Sequence, residues 1–172
     1  MSPSYNIKKS ELTIHTALNT HPKPKSVALL NDLDDREFEK YNIELTVHKA
    51  LKDTLYDVII SDEENVLYAI SKLKDDGLAV FCLNLEDDFC DKVDFFKTIS
   101  PSFRVVMPFF MPYSKEQELF VFASKKYHPT SDLQLQRADM LDNLTFYTPY
   151  LHKAIFEQPL FIQNCFKGYL KN

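Results

Sequence analysis

The chain has 172 residues, 45% hydrophobic and 26% charged, a composition that suits one folded globular unit with a single core. Acids outnumber bases 25 to 20, and the net charge of −5 speaks against nucleic-acid binding, which rests on clustered Lys and Arg. Only two glycines occur, Gly77 and Gly168, so a Walker loop, a GxGxxG fingerprint and any other glycine-rich phosphate cradle are excluded.

No apolar run approaches the roughly 18 residues of a membrane span. Met1 to Lys9 lack the apolar stretch of a signal peptide, so a cytoplasmic location is expected. The cysteines Cys82, Cys90 and Cys165 show no CxxC spacing and read as reduced thiols, with neither a disulfide nor a metal framework.

In chain order, Glu11 to Leu18 places Leu12, His15 and Leu18 at helical spacing, and His21-Pro22-Lys23-Pro24 breaks that helix. Ser26 to Leu30 reads as a buried strand, Asp32–Asp35 as an acidic turn capping a short helix through Tyr41, and Ile43 to Val47 as a strand of period two. Asp57 to Ser61 and Leu78 to Leu83 are two further buried strands, separated by an amphipathic helix over Glu64 to Leu73 with Gly77 as its stop. Asp88 to Ile99 fits a helix. Phe103 to Met107 and Leu119 to Ser124 fit an antiparallel hairpin at one end of the sheet, and helices follow near 133–142 and 149–170.

Strands alternating with helices predict an α/β fold with a mostly parallel sheet. The connection 48–56 is too short for a comfortable helix, but extended at about 3.3 Å per residue it reaches roughly 30 Å, enough to hop over one intervening strand. The sheet is therefore expected to be reduced in size.

Five separated stretches resemble the spermidine synthase family, the polyamine aminopropyltransferases. Glu11, His15, His21-Pro22, Pro24-Lys25 and Val27 are similar to the segment leading into that family's first core strand. Tyr56-Asp57-Val58-Ile59-Ile60-Ser61-Asp62 resembles its YDVIIxD strand, and Leu73-Lys74-Asp75-Asp76-Gly77 the lead-in to the next one. Phe122-Ala123-Ser124-Lys125 resembles its FASK strand. The run from Phe146-Tyr147 through His152, Ala154 and Phe156 to Pro159 and Phe161 resembles its closing signature.

The resemblance implies a Rossmann-like, methyltransferase-type fold in one domain over residues 1–172, without the family's small N-terminal β-domain. It implies transfer of an aminopropyl group from decarboxylated S-adenosylmethionine, as co-substrate rather than cofactor, to putrescine in spermidine biosynthesis. Asp62 matches the catalytic aspartate, Glu11 and Tyr147 match amine-binding positions, and Asn31 and Asp32 stand where the nucleoside would lie. Putrescine or another polyamine is the implied partner. A homodimer is expected from the family's assembly and from the cover that so small a sheet needs at its edges.

Departures from the family are equally specific. Asn31-Asp32-Leu33-Asp34-Asp35 replaces the glycine-rich loop. Only one strand lies between Leu30 and Asp57, so the unit ending in the ribose-binding acid is deleted or fused, and Glu44 is a poor substitute for that acid. The gatekeeping loop survives only as Asp62-Glu63-Glu64-Asn65, and the amine-site triplet as Lys9-Ser10-Glu11, with Lys9 replacing a tyrosine.

Each candidate also has a structural reading. Asp62 can simply cap the next helix, Tyr147 and His152 can be core residues, and His15 and His21 helix-end or surface histidines. The acidic runs Asp32–Asp35 and Glu86–Asp88 can attract a polyamine by their field or serve as solvated caps. Phe109, Phe110, Met111 and Tyr113 suit a pocket mouth or a subunit contact. Two function classes thus stay open: a reduced transferase, or a catalytically inactive relative serving as a binding or dimerisation module. A third is that the chain is a shortened form of a longer enzyme.

Overall fold

The computed structural model describes residues 3–85, 88–115 and 118–172. The acidic pair Glu86 and Asp87 lies outside the described residues. Helix α1 (Tyr5–Thr20) starts at Ser4, whose hydroxyl accepts the Ile7 N–H, and ends at His21 before Pro22. Six strands follow: β1 (Ser26–Leu29), β2 (Thr46–His48), β3 (Tyr56–Asp62), β4 (Leu73–Asn84), β5 (Val105–Phe109) and β6 (Glu118–Ser124). They form one sheet in the order β2-β1-β3-β4-β6-β5. The pairings β1 with β2, β1 with β3 and β3 with β4 are parallel, and β6 runs antiparallel to both of its neighbours. The segment from β2 to β3 therefore hops over β1, as its length allows.

Alternation along the strands divides the core into two faces. Val58 and Ile60 of β3, Leu78, Val80 and Cys82 of β4, and Phe120 and Phe122 of β6 join Leu12, Ile14 and Leu18 of α1. Ile59, Ala79, Phe81, Val121 and Ala123 face the other way, against Ile70, Phe96, Ile99 and Phe166. That second layer comprises α2 (Val66–Ser71), α3 (Val93–Ile99) and α6 (Leu160–Cys165), while α4 (Leu135–Asp139) and α5 (Pro149–Ala154) lie on the side of α1. A sheet covered on both faces explains why these strands read as unbroken apolar runs.

Several expectations are corrected. The strand expected at Ile43–Val47 begins at Thr46, so Glu44 precedes it, at the amino end of the sheet. The C-terminal helix expected over 149–170 divides into α5 and α6, because Pro159 cannot donate within a helix and stands as the cap of the second piece. Cys90 and Cys165 are not free thiols: they form a disulfide with their Cα atoms 5.1 Å apart, joining the 3-10 turn Phe89–Lys92 to α6. Helix α2 ends at Ser71, and Gly77 lies inside β4.

Gly77 is needed there for space. The pairing of β3 with β4 skips between Tyr56↔Leu73 and Val58↔Leu78. A Cβ at Gly77 would sit 3.1 Å from both the Tyr56 and the Lys74 carbonyl oxygens, backbone atoms that cannot yield without moving a strand. Gly77→Ala is expected to cost about 1–3 kcal/mol, read as a lower urea midpoint at unchanged slope; full stability in that variant would show that the crowding is relieved without cost.

Candidate functional site

The parallel strands deliver their carboxyl ends to one edge. β1 hands over at Leu30, whose N–H donates to the Ile60 carbonyl (2.8 Å), and Asn31 follows at the rim. Asp62 closes β3 opposite Cys82, and Asn84 at the end of β4 faces Glu118 at the start of β6. The Asn31 amide nitrogen lies 3.5 Å from the Cys82 sulfur. Helix α1 supplies Tyr5 and Lys9: the Tyr5 hydroxyl donates to Glu118 Oε2, and Lys9 Nζ lies 2.6 Å from Glu118 Oε1.

The electrostatics of this edge are uneven. Asp62 is solvent-accessible, yet its carboxyl is raised above the ordinary range, first by desolvation and then by Asp32 and Glu64, while Lys9 and the Asn31 side chain favour its charged form. Burial pushes the Glu118 carboxyl up to about 7. The buried Cys82 thiol is pushed up to about 12, so it stays protonated and is no nucleophile.

The structure thus gathers Asn31, Asp32 and Asp62 of the expected site residues, and Glu11 and Tyr147 meet elsewhere. Glu11 is 1% exposed, and its carboxylate accepts the N–H groups of Thr145 (2.9 Å), Phe146 (2.7 Å) and Tyr147 (2.9 Å) and the Thr145 hydroxyl (2.9 Å). The Tyr147 hydroxyl accepts from the Asn19 amide (3.1 Å) and donates to His152 Nδ1 (2.7 Å), since His152 Nε2–H is committed to the Pro129 carbonyl (2.8 Å). No hydrogen bond among the described residues joins Glu11 or Tyr147 to Asp62. Glu11 also borders a cleft of about 520 Å³ shared with Asp34, Glu37, Lys40 and Asp142.

The glycine-free stretch after β1 is filled by the chain itself. Leu33 is buried in the core on the α1 face, the Asp34 N–H donates to the Ser10 hydroxyl (2.9 Å), and the Asp34 side chain accepts the Arg36 N–H to cap the 3-10 turn Asp35–Lys40. Sequence reading noted Lys9 only as a misfit and did not find Glu118. Nothing local links positions 9 and 118, and an acid at the start of an apolar run is commonplace.

At the opposite, amino end of the sheet, His21, Asp57 and Asp76 bring ligand atoms within 4.8 Å of one another. This trio does not suit a metal ion. The Lys23 N–H donates to His21 Nδ1 (3.3 Å), which leaves the proton on Nε2, and Lys74 Nζ already neutralises Asp57 Oδ1 at 2.8 Å. Asp57 Oδ2 takes the Lys25 and Ser26 N–H groups, each at 2.9 Å, so the cluster ties β1 to β3.

Sheet order, helical layers on both faces and a polar rim at the strands' carboxyl ends define a Rossmann-like fold of the methyltransferase type. The spermidine synthase of Thermotoga maritima superposes with a TM-score of 0.68 at 21% identity, over 93% of this chain and 74% of that one. A spermidine synthase bound to the transition state analogue AdoDATO gives 0.64 at 21% identity, over 92% and 75%. The polyamine aminopropyltransferase of Caldicellulosiruptor saccharolyticus is 29% identical, covering 89% of this chain and 75% of its own length. No family model matches. Over most of its length the chain is thus similar in sequence to polyamine aminopropyltransferases and in fold to spermidine synthases. That alignment spans 213 positions, more than this chain has residues, so internal segments of the relative have no counterpart here. The single strand between β1 and β3 agrees with that loss.

Two measurements probe the assignments around Glu11. Glu11→Gln turns an acceptor of main-chain donors into a partial donor and is expected to cost about 2–4 kcal/mol by urea denaturation; a variant as stable as the parent would free Glu11 for a ligand role. Burial lowers the His152 imidazole to about 4, from an ordinary value near 6.5. Between those values the unfolded chain binds a proton that the folded chain excludes, so stability falls as pH drops through that window. The expected loss by pH 5 is about 2 kcal/mol, and replacing His152 by Asn should flatten the pH profile.

Proposed function

We propose that this protein carries out aminopropyl transfer of the spermidine synthase type, with the carboxyl edge of β1, β3 and β4 as its site. The observation that carries this reading is Asp62: an accessible carboxylate at the end of the central strand, raised above the ordinary acid range, with Asn31 beside it and kinship to aminopropyltransferases behind it. In the reaction, the neutral amine of putrescine attacks the carbon next to the sulfonium of decarboxylated S-adenosylmethionine. The carbon–sulfur bond breaks, its electron pair stays on sulfur, and methylthioadenosine leaves. The new secondary ammonium gives its proton to Asp62, a better acceptor for being raised. Asn31 and Asp32 would border the nucleoside. Glu11 and Tyr147 act from behind by fixing the segment at 145–147 against α1.

In this reading the chain works as a single domain in the cytoplasm, and two copies pair to cover the sheet edges. None of the helices among the described residues is long and apolar enough to cross a membrane. A second reading, a non-catalytic polyamine-binding relative, is favoured by one observation: Leu33 and Asp34 are packed into the place where a glycine loop would let a nucleoside approach.

The two readings separate on one assay. Purified protein given decarboxylated S-adenosylmethionine and putrescine is expected to release methylthioadenosine, and Asp62→Asn to lower the rate by about 10²–10⁴-fold with unchanged melting temperature. No product from the unaltered protein, with a melting temperature that still rises in putrescine, would establish the second reading.

A further inference from the structure

The carboxyl edge already holds a cation of its own. The ion pair between Lys9 Nζ and Glu118 Oε1 (2.6 Å) is largely withdrawn from water, the two side chains being 17% and 11% exposed, and the Tyr5 hydroxyl holds the second carboxylate oxygen. Lys9 is also the cation whose field reaches Asp62 and Cys82. A lysine side chain is a four-carbon alkyl stem ending in a primary ammonium, the same chemistry as one end of a linear diamine.

We infer that Lys9 is a tethered occupant of an alkylammonium site formed by Glu118 and Tyr5 beside Asp62, so that a free diamine binds there only by displacing it. The inference rests on reading this edge as an amine site, though not on turnover. Three features support it. The site is built for one ammonium: a desolvated carboxylate, oriented by a hydroxyl, with a single ion-pair partner among the described residues. Removing that partner would leave a desolvated carboxyl that must take up either a proton or another cation, so a diamine competes there with protonation rather than with a tethered ammonium. Lys9 reaches the site from the second turn of α1, whose first residues are the less buried part of that helix, so its side chain can swing aside without unpacking the core.

A tethered ligand competes at an effective concentration set by its linker, of millimolar order for short ones. Its removal should therefore tighten binding of an external diamine by at least about tenfold. The test is calorimetric titration of putrescine, at fixed ionic strength, into the unaltered protein, Lys9→Ala, Lys9→Arg and the double variant Lys9→Ala/Glu118→Gln. The expected pattern is tighter binding in Lys9→Ala alone, with Lys9→Arg like the parent and the double variant losing the gain. Should Lys9→Ala not fold, Lys9→Gln keeps a polar side chain at the position without the charge and carries the same expectation. Equal affinity in the parent and the neutral Lys9 variant overturns the inference, as does a gain that survives Glu118→Gln. The methylthioadenosine assay is independent of this. Tighter diamine binding without product would sustain the role of Lys9 while removing the transferase reading, and product with unchanged binding would do the reverse.

Discussion

The fold turns on one carboxylate with nowhere to go except into the main chain. Glu11 sits on a helix that is buried from Ser10 to Thr20, and its charge is compensated chiefly by three consecutive N–H groups at 145–147. The interaction makes α1 the hub between the sheet and the C-terminal segment. Once residues 145–147 are held, the Tyr147 hydroxyl is brought to Asn19 and His152, and His152 in turn to the Pro129 carbonyl. A chain of buried polar groups then holds together parts of the sequence more than a hundred residues apart. Apart from the Asn19 amide oxygen, which has no partner among the described residues, each link is satisfied by the next, the condition for such groups to be tolerated inside.

The same helix turn divides structure from chemistry. Residues two apart on an α-helix point to opposite sides. Glu11 is therefore directed at the C-terminal segment, and Lys9 at Glu118 on the rim of the sheet. The sequence resemblance assigns this short stretch to an amine site as a unit. In the folded chain Lys9 is the member that reaches Glu118, Ser10 holds the loop after β1 through the Asp34 N–H, and Glu11 turns to the C-terminal segment.

How much was legible follows from the range of the interactions. Strands buried on both faces announce themselves as apolar runs, so β1, β3, β4 and β6 are readable, and the length of the 48–56 segment allows the hop over β1 that the sheet order shows. The first four residues of β4 are not readable, because Lys74, Asp75 and Asp76 are polar and extend only through the Tyr56↔Leu73 pairing. Gly77 imitates a helix stop, while its actual cause is crowding by two carbonyl oxygens, that of Lys74 three residues earlier and that of Tyr56 on the neighbouring strand. The Cys90–Cys165 bridge and the Lys9–Glu118 pair have separations of 75 and 109 residues and leave no local trace. Asp62 is picked out by the resemblance of Tyr56–Asp62 to a family motif, one residue beyond the strand expected from apolar pattern, and it is the last residue of β3. Glu11 is picked out in the same way, but its main-chain partners leave no local signal.

These differences from a glycine-looped enzyme share a direction. At this edge the protein pairs its own groups: Leu33 enters the core behind the loop after β1, Asp34 spends its hydrogen bonds on Ser10 and Arg36, and Lys9 pairs with Glu118. An open site costs stability because its polar groups wait unpaired, and closing it from within recovers that stability at the expense of ligand access. Asp62 escapes this trend. It stays accessible and raised, with Asp32 and Glu64 adding negative charge around it and Lys9 the principal cation opposing them. On the proposed reading of this edge, an external cation competes for Glu118 with one intramolecular ammonium before the charge of Asp62 acts on it.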